Sequence, residues 1–116
     1  MIPPPLPKRV LITTTDTIEG KKISKYLGPL CGFSAQNLGL KGAFRLSIER
    51  AELDNYAELI SQVQEAAVAD LEKKAESINA DAVVGIVFDF EFQESMCAGS
   101  VSGTAVLLDT NNMNTE

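Results

Sequence analysis

The sequence predicts an α+β domain in the order ββαββ, one long helix packed on a mainly antiparallel sheet. Three observations carry this. A single stretch, Leu53 to Ile78, repeats apolar residues at helical spacing. Residues 84 to 93 alternate apolar and polar with period two. The remaining β-branched runs are short and punctuated by Gly, Pro and Asp, as strands are.

The chain has 116 residues, 45% apolar and 22% charged, which fits one globular domain with a real core. Its organisation reads as a flexible Pro-rich arm (1–8), a folded α+β domain (9–109) and a disordered tail (110–116). The start, MIPPPLPKRV, is extended in character and lacks the apolar core of a secretory signal. Pro4, Pro7 and Arg9 fit a PxxPxR spacing, but a solvated arm explains them more simply. RVLITTT (9–15) is the first expected strand, and TIEGKK turns at Gly20. The second strand is expected over about 23–32, at an edge or bulged, because Pro29 has no N–H for a ladder. Residues 36–53 fit strand and helix templates equally, with Gly39 and Gly42 arguing for a loop into a short helix.

The helix sets Leu53, Tyr56, Ala57, Ile60, Val63, Ala67, Leu71, Ala75 and Ile78 against a face with Glu58, Gln62, Glu65, Glu72 and Glu76. Asn55 with Glu58 resembles a capping box, and Asn79 is placed as the left-handed residue that ends the helix. Val84, Ile86, Phe88, Phe90 and Phe92 then alternate with Gly85, Val87, Asp89, Glu91 and Gln93, giving a strand with one greasy and one acidic face. GSVSGTAVLLD (99–109) is the last strand, expected to pair antiparallel with it across a turn near Glu94 and Ser95. One helix covers only one face of such a sheet. The other face, with Val83, Val87, Val106 and Leu108, calls for further cover, most simply a second copy.

Charge and composition narrow the functional classes. The net charge of −6 divides into +5 over residues 1–50 and −11 over 51–116, a split suited to head-to-tail packing of copies. Nucleic acid is a poor partner for a chain with two Tyr, no Trp and a negative total. No apolar run approaches the roughly 20 residues of a membrane helix, so no membrane partner is expected and a cytoplasmic location is. Cys31 and Cys97 form no CxxC and read as reduced thiols. With no histidine, Ser-His-Asp and Cys-His nucleophile systems are impossible, and the enzyme question leans to no. Thr15–Lys22 lacks the first glycine and the Ser/Thr of a phosphate-cradling loop, so it reads as a turn.

Metal chemistry is the sharper possibility. One chain cannot supply the four N or S ligands of a closed zinc site. If copies that cover one another's open sheet face close around an axis, Asp89, Glu91 and Cys97 repeat around it, and carboxylates beside a thiol suit a divalent or soft cation. Asp89 and Glu91 lie two strand rises apart, roughly 7 Å, too far to grip one ion unaided. The competing reading is a wet strand face followed by a turn, with Met96 and Cys97 packed beneath neighbours.

TTTDTIEGKKI (13–23), KYLG (25–28), DAVVG (81–85), DFE (89–91), Met96 and SGTAV (102–106) together resemble the YbjQ-like family, often labelled "putative heavy-metal-binding". The likeness spans nearly the whole chain between its tails. It implies a small α+β subunit in a ring-like homopentamer, with no established activity for the family as a whole; its label favours a module that binds a heavy metal or small ligand, against the alternative of a structural or partner-interaction ring without catalysis. The chain departs from the pattern after KYLG, where Pro29-Leu30-Cys31-Gly32-Phe33 loses an acidic position. It departs again at Asn79, where the family favours glycine, and over 34–55, where the Gly-rich linker pattern is weak.

Overall fold

The computed structural model describes residues 9–37, 53–93 and 96–109. The expected arm and tail, and the 38–52 part of the ambiguous stretch, lie outside them. The described elements are β1 (Leu11–Ile12), β2 (Ile23–Asn37), α1 (Leu53–Ser77), β3 (Ala82–Gln93) and β4 (Met96–Leu108), the expected ββαββ order. The four strands form one mixed sheet ordered β1-β3-β4-β2, with β1 parallel to β3 and the other pairs antiparallel.

β1 is much shorter than RVLITTT suggests. Past Ile12 the threonines bond among themselves, Thr13 Oγ1 to Thr15 Oγ1 at 2.9 Å and Thr15 Oγ1 donating to the Thr17 carbonyl at 2.6 Å. The backbone stays bonded to β3 there but out of regular register: Thr13 N–H donates to the Val83 carbonyl at 3.0 Å, and the Ile86 and Gly85 N–H groups donate to the Thr13 and Thr15 carbonyls at 3.2 and 2.8 Å. The turn at Gly20 is as expected: Lys21 N–H donates to the Ile18 carbonyl at 3.0 Å, and Gly20 has the positive φ (82°) of the third residue of a type II turn. β2 lies at the sheet edge, which is how Pro29 is tolerated, and carries register shifts upstream of it, between Ile23 and Lys25 and between Tyr26 and Gly28. It runs five residues further than expected, to Asn37.

α1 buries Val63, Ala67, Leu71 and Ala75, a row at spacing four, against β2 and β4. Burying side chains such as Leu71 and Val63 contributes about 1.5–3 kcal/mol each. Gly32 of β2 lets the helix come close: a Cβ there would meet the Ala67 carbonyl oxygen and lie 2.6 Å from Leu71 N. The helix already includes Leu53, so Asn55 lies inside it and is not its cap. Its other end is the expected one. Asn79 is left-handed (φ 59°), with Asn79 N–H donating to the Glu76 carbonyl and Ala80 N–H to the Ala75 carbonyl, both at 3.0 Å. That pair of bonds is a Schellman motif, closed by Ala75 and Ala80 in the same core cluster.

The strict alternation expected from Val84 onward fails at one place. Between Val84↔Thr104 and Val87↔Ser102, β3 spends three steps where β4 spends two, a β-bulge at Gly85, whose φ is 63°. Val83 and Ile86 therefore both face the helix, their methyls straddling Gly103 at 2.8 Å from where a Cβ would be. Val84 turns to the opposite face, where it packs with Ala82, Val106, Ile18, Ile23 and Leu108. Part of the second face is thus covered by the chain's own β1–β2 connection. Among the described residues, no helix is long and apolar enough to cross a membrane.

Candidate functional site

Beyond the bulge, the sheet surface opposite α1 is open, and pairing register fixes what it displays. Directly paired residues share a face. One row is Val87–Ser102–Cys31, the next Asp89–Ser100–Phe33, the next Glu91–Ala98–Ala35, and the last described pair is Gln93–Met96. Small residues of β4 floor a shallow trough. Asp89 and Glu91 line its β3 side, Cys31 and Phe33 its β2 side, with strands two apart separated by about 9.6 Å. The same surface carries Leu11 and Tyr26, paired with Ala82 and Val106. Leu11, Tyr26, Phe33 and Val87 are 44%, 67%, 56% and 64% exposed.

Asp89 and Glu91 stand exposed side by side on this surface, as their alternation requires. Cys97 does not join them. Met96 and Cys97 belong to β4 rather than to a turn after β3, and Cys97 pairs with Phe92 on the helix side, where it is fully buried. Burial pushes its thiol above the ordinary 9.0, so at neutral pH it is a protonated, packed group. The sulfur that faces the trough belongs to Cys31, which is exposed, and sequence reasoning passed it over. Its partner Ser102, and through it Val87, could be found only from the register of β2 on β4. Among the described residues no three of His, Cys, Asp and Glu approach closely enough to hold a metal ion. The described residues of one chain offer separate donors, not a centre.

Fold and surface together define a class: an α+β sheet domain, with one helix among the described residues, whose second face presents carboxylates, a thiol and large apolar side chains without an assembled site among those residues. The chain belongs to the YbjQ-like family, described as "Putative heavy-metal-binding", whose model matches residues 10–109. A UPF0145 protein of Geobacillus kaustophilus is 34% identical over 103 residues, covering 85% of this chain and 98% of that one. A UPF0145 protein of Thermoplasma acidophilum is 32% identical over 104 residues, covering 86% and 87%. A crystal structure of a DUF74-family protein of unknown function from Pediococcus pentosaceus superposes with a TM-score of 0.62 at 21% identity, covering 86% of this chain and 98% of that one, and shows the shared fold.

Proposed function

We propose that the protein is a self-assembling binding module without catalytic activity, in which copies close into a homopentameric ring and bind a heavy metal or small ligand where subunits meet. The observation that carries this is the open sheet surface: Leu11, Tyr26, Phe33 and Val87 are exposed on the same side as Asp89 and Glu91. Burying a side chain such as Phe33 against another copy stabilises the assembly by about 1.5–3 kcal/mol. A neighbour's groups then supply the donors that Asp89 and Glu91 lack within one chain, suiting a divalent cation, with Cys31 as the sulfur available to a soft one. Cys97, buried on the helix side, serves packing, and Cys97→Ser is expected to leave hard-ion binding unchanged.

The family description supports the ligand half of this reading. The absence of a three-donor cluster among the described residues favours the second reading, a partner-interaction ring with no bound ion. Native mass spectrometry of the purified protein separates the two, since it reports stoichiometry and bound mass together. Calorimetry with zinc, copper(I) and calcium follows, comparing the parent with Asp89→Asn/Glu91→Gln. An ion that binds the parent and is weakened in the variant supports the first reading. A ring that binds none of the three refutes it, and a stable monomer at micromolar concentration refutes both.

A further inference from the structure

Among the described residues the sheet has two unequal edges. β1 spans two residues and β2 fifteen, so the outer side of β2 is the long edge. A long edge with its N–H and C=O groups unmet is a template for adding a strand from another chain. Strand residues at i, i+2 and i+4 turn their backbone groups to the same side, which makes Pro29, Cys31 and Phe33 three consecutive outward positions of β2.

At each of the three, one edge group is unavailable for a different reason. Pro29 has no N–H to donate. The Cys31 carbonyl accepts from Lys74 Nζ at 2.9 Å. Phe33 N–H donates to Asp70 Oδ2, also at 2.9 Å. Asp70 and Lys74 are one turn apart on α1 and are paired with each other at 3.1 Å, so the two bonds hold one another in place. Neither residue belongs to the buried row of the helix, and their side chains are 35% and 49% exposed. They reach from the rim of the helix to the backbone of the strand, an arrangement that packing alone does not require.

We propose that Asp70 and Lys74 form an edge lock, which withholds the 29–33 stretch of β2 from strand addition by a second copy of this chain. Head-to-tail extension of the sheet through this edge would give an open-ended chain of subunits wherever the rotation between copies does not close. With the lock in place, copies must meet through other surfaces. A synthetic strand or a second subunit approaching this stretch finds one missing donor, one occupied acceptor and one occupied donor.

The test is Asp70→Ala/Lys74→Ala in the full chain, measured beside the parent at equal concentration by light scattering and by hydrogen exchange of the Phe33 amide. The expected result is retained helical circular dichroism, Phe33 exchange at least tenfold faster, and concentration-dependent species larger than the parent's. Unchanged Phe33 exchange overturns the proposal, as does faster exchange with the parent's mass. Should the double variant fail to fold, Lys74→Met keeps the aliphatic stem and frees the Cys31 carbonyl. Larger species then support the lock, and the parent's mass overturns it. A monomeric parent would sink the ring proposed above and leave the lock standing, because the lock is read from the difference between parent and variant.

Discussion

Replacing Gly32 with alanine tests how the helix is seated. The added Cβ would run into the Ala67 carbonyl oxygen and stand 2.6 Å from Leu71 N and 2.8 Å from Leu71 Cβ, all atoms of α1 and two of them backbone. A rotatable side chain could swing away; a helix backbone can only lift as a unit. Lifting it by even 0.5–1 Å loses about a quarter to a half of each van der Waals contact beneath. The contacts at stake belong to Val63, Ala67, Leu71 and Ala75, all fully or almost fully buried. Overpacking ordinarily costs about 1–3 kcal/mol, and a clash with main chain puts Gly32→Ala at the upper end, about 3 kcal/mol. At about 4–8 °C per kcal/mol for a domain of this size, the melting temperature should fall by about 12–24 °C. Thermal and urea unfolding followed by circular dichroism measure this. Gly99→Ala is the control, since its Cβ meets the movable tip of Val63 at 2.7 Å and the Phe90 ring edge at 3.2 Å, and its cost should be smaller. A Gly32→Ala protein within about 1 kcal/mol of the parent, or less affected than Gly99→Ala, would refute the reasoning.

Asn79→Ala, which places an alanine in the left-handed position closing α1, should cost about 1 kcal/mol, and Asn79→Gly should stay within about 0.5 kcal/mol of the parent by urea titration. Gly85→Val forces a branched side chain to φ 63° beside Asp16 Oδ1, 3.2 Å away, and should reduce folding yield and assembly together; a stable, assembled Gly85→Val protein would count against the bulge as described. Cys31 should react with a disulfide reagent in the native protein while Cys97 waits for unfolding. Because burial raises the Cys97 value, its contribution to stability is complete below the ordinary 9.0 and declines as pH rises above it, a decline that Cys97→Ala should abolish. The Asp70 carboxyl is held below its ordinary 3.8, first by the Phe33 N–H and then by Lys74, so its contribution is complete above 3.8 and lost as pH falls through the lower folded value. Phe33 amide protection should fall in that acid range, and Asp70→Asn should remove the pH dependence.

Periodicity made the helix and the long acidic strand legible, and residue chemistry gave the turn at Gly20, the edge position of a Pro-containing strand and the left-handed Asn79. What escaped were matters of register. A strand glycine such as Gly85 marks a bulge or a close backbone approach, but the AVVGIVF run does not tell which, nor that the alternation shifts there. The face occupied by Cys97 follows from pairing Gln93 with Met96, and a slip of one residue would turn it over. Cys31 went unnoticed as a surface thiol for the same reason: its side depends on its alignment with Ser102, 71 positions away. The parallel pairing of β1 with β3 is likewise set by tertiary contacts and has no local signature.

The extra residue at Gly85 also makes β3 two strands in one, out of phase with each other. Upstream of it odd-numbered Val83 looks toward the helix; downstream even-numbered Ile86 does, with Phe88 packed on the same core. If Gly85 instead took an ordinary place in the ladder, every residue being kept, either Val83 or the Ile86–Phe88 series would be sent out into water and carboxylates drawn inward. Deleting Gly85 outright leaves both series on the helix side, two steps apart, whereas one further residue inserted between Val83 and Ile86 turns one of them over. The strand therefore depends on a matched pair, an extra residue and the left-handed conformation that absorbs it.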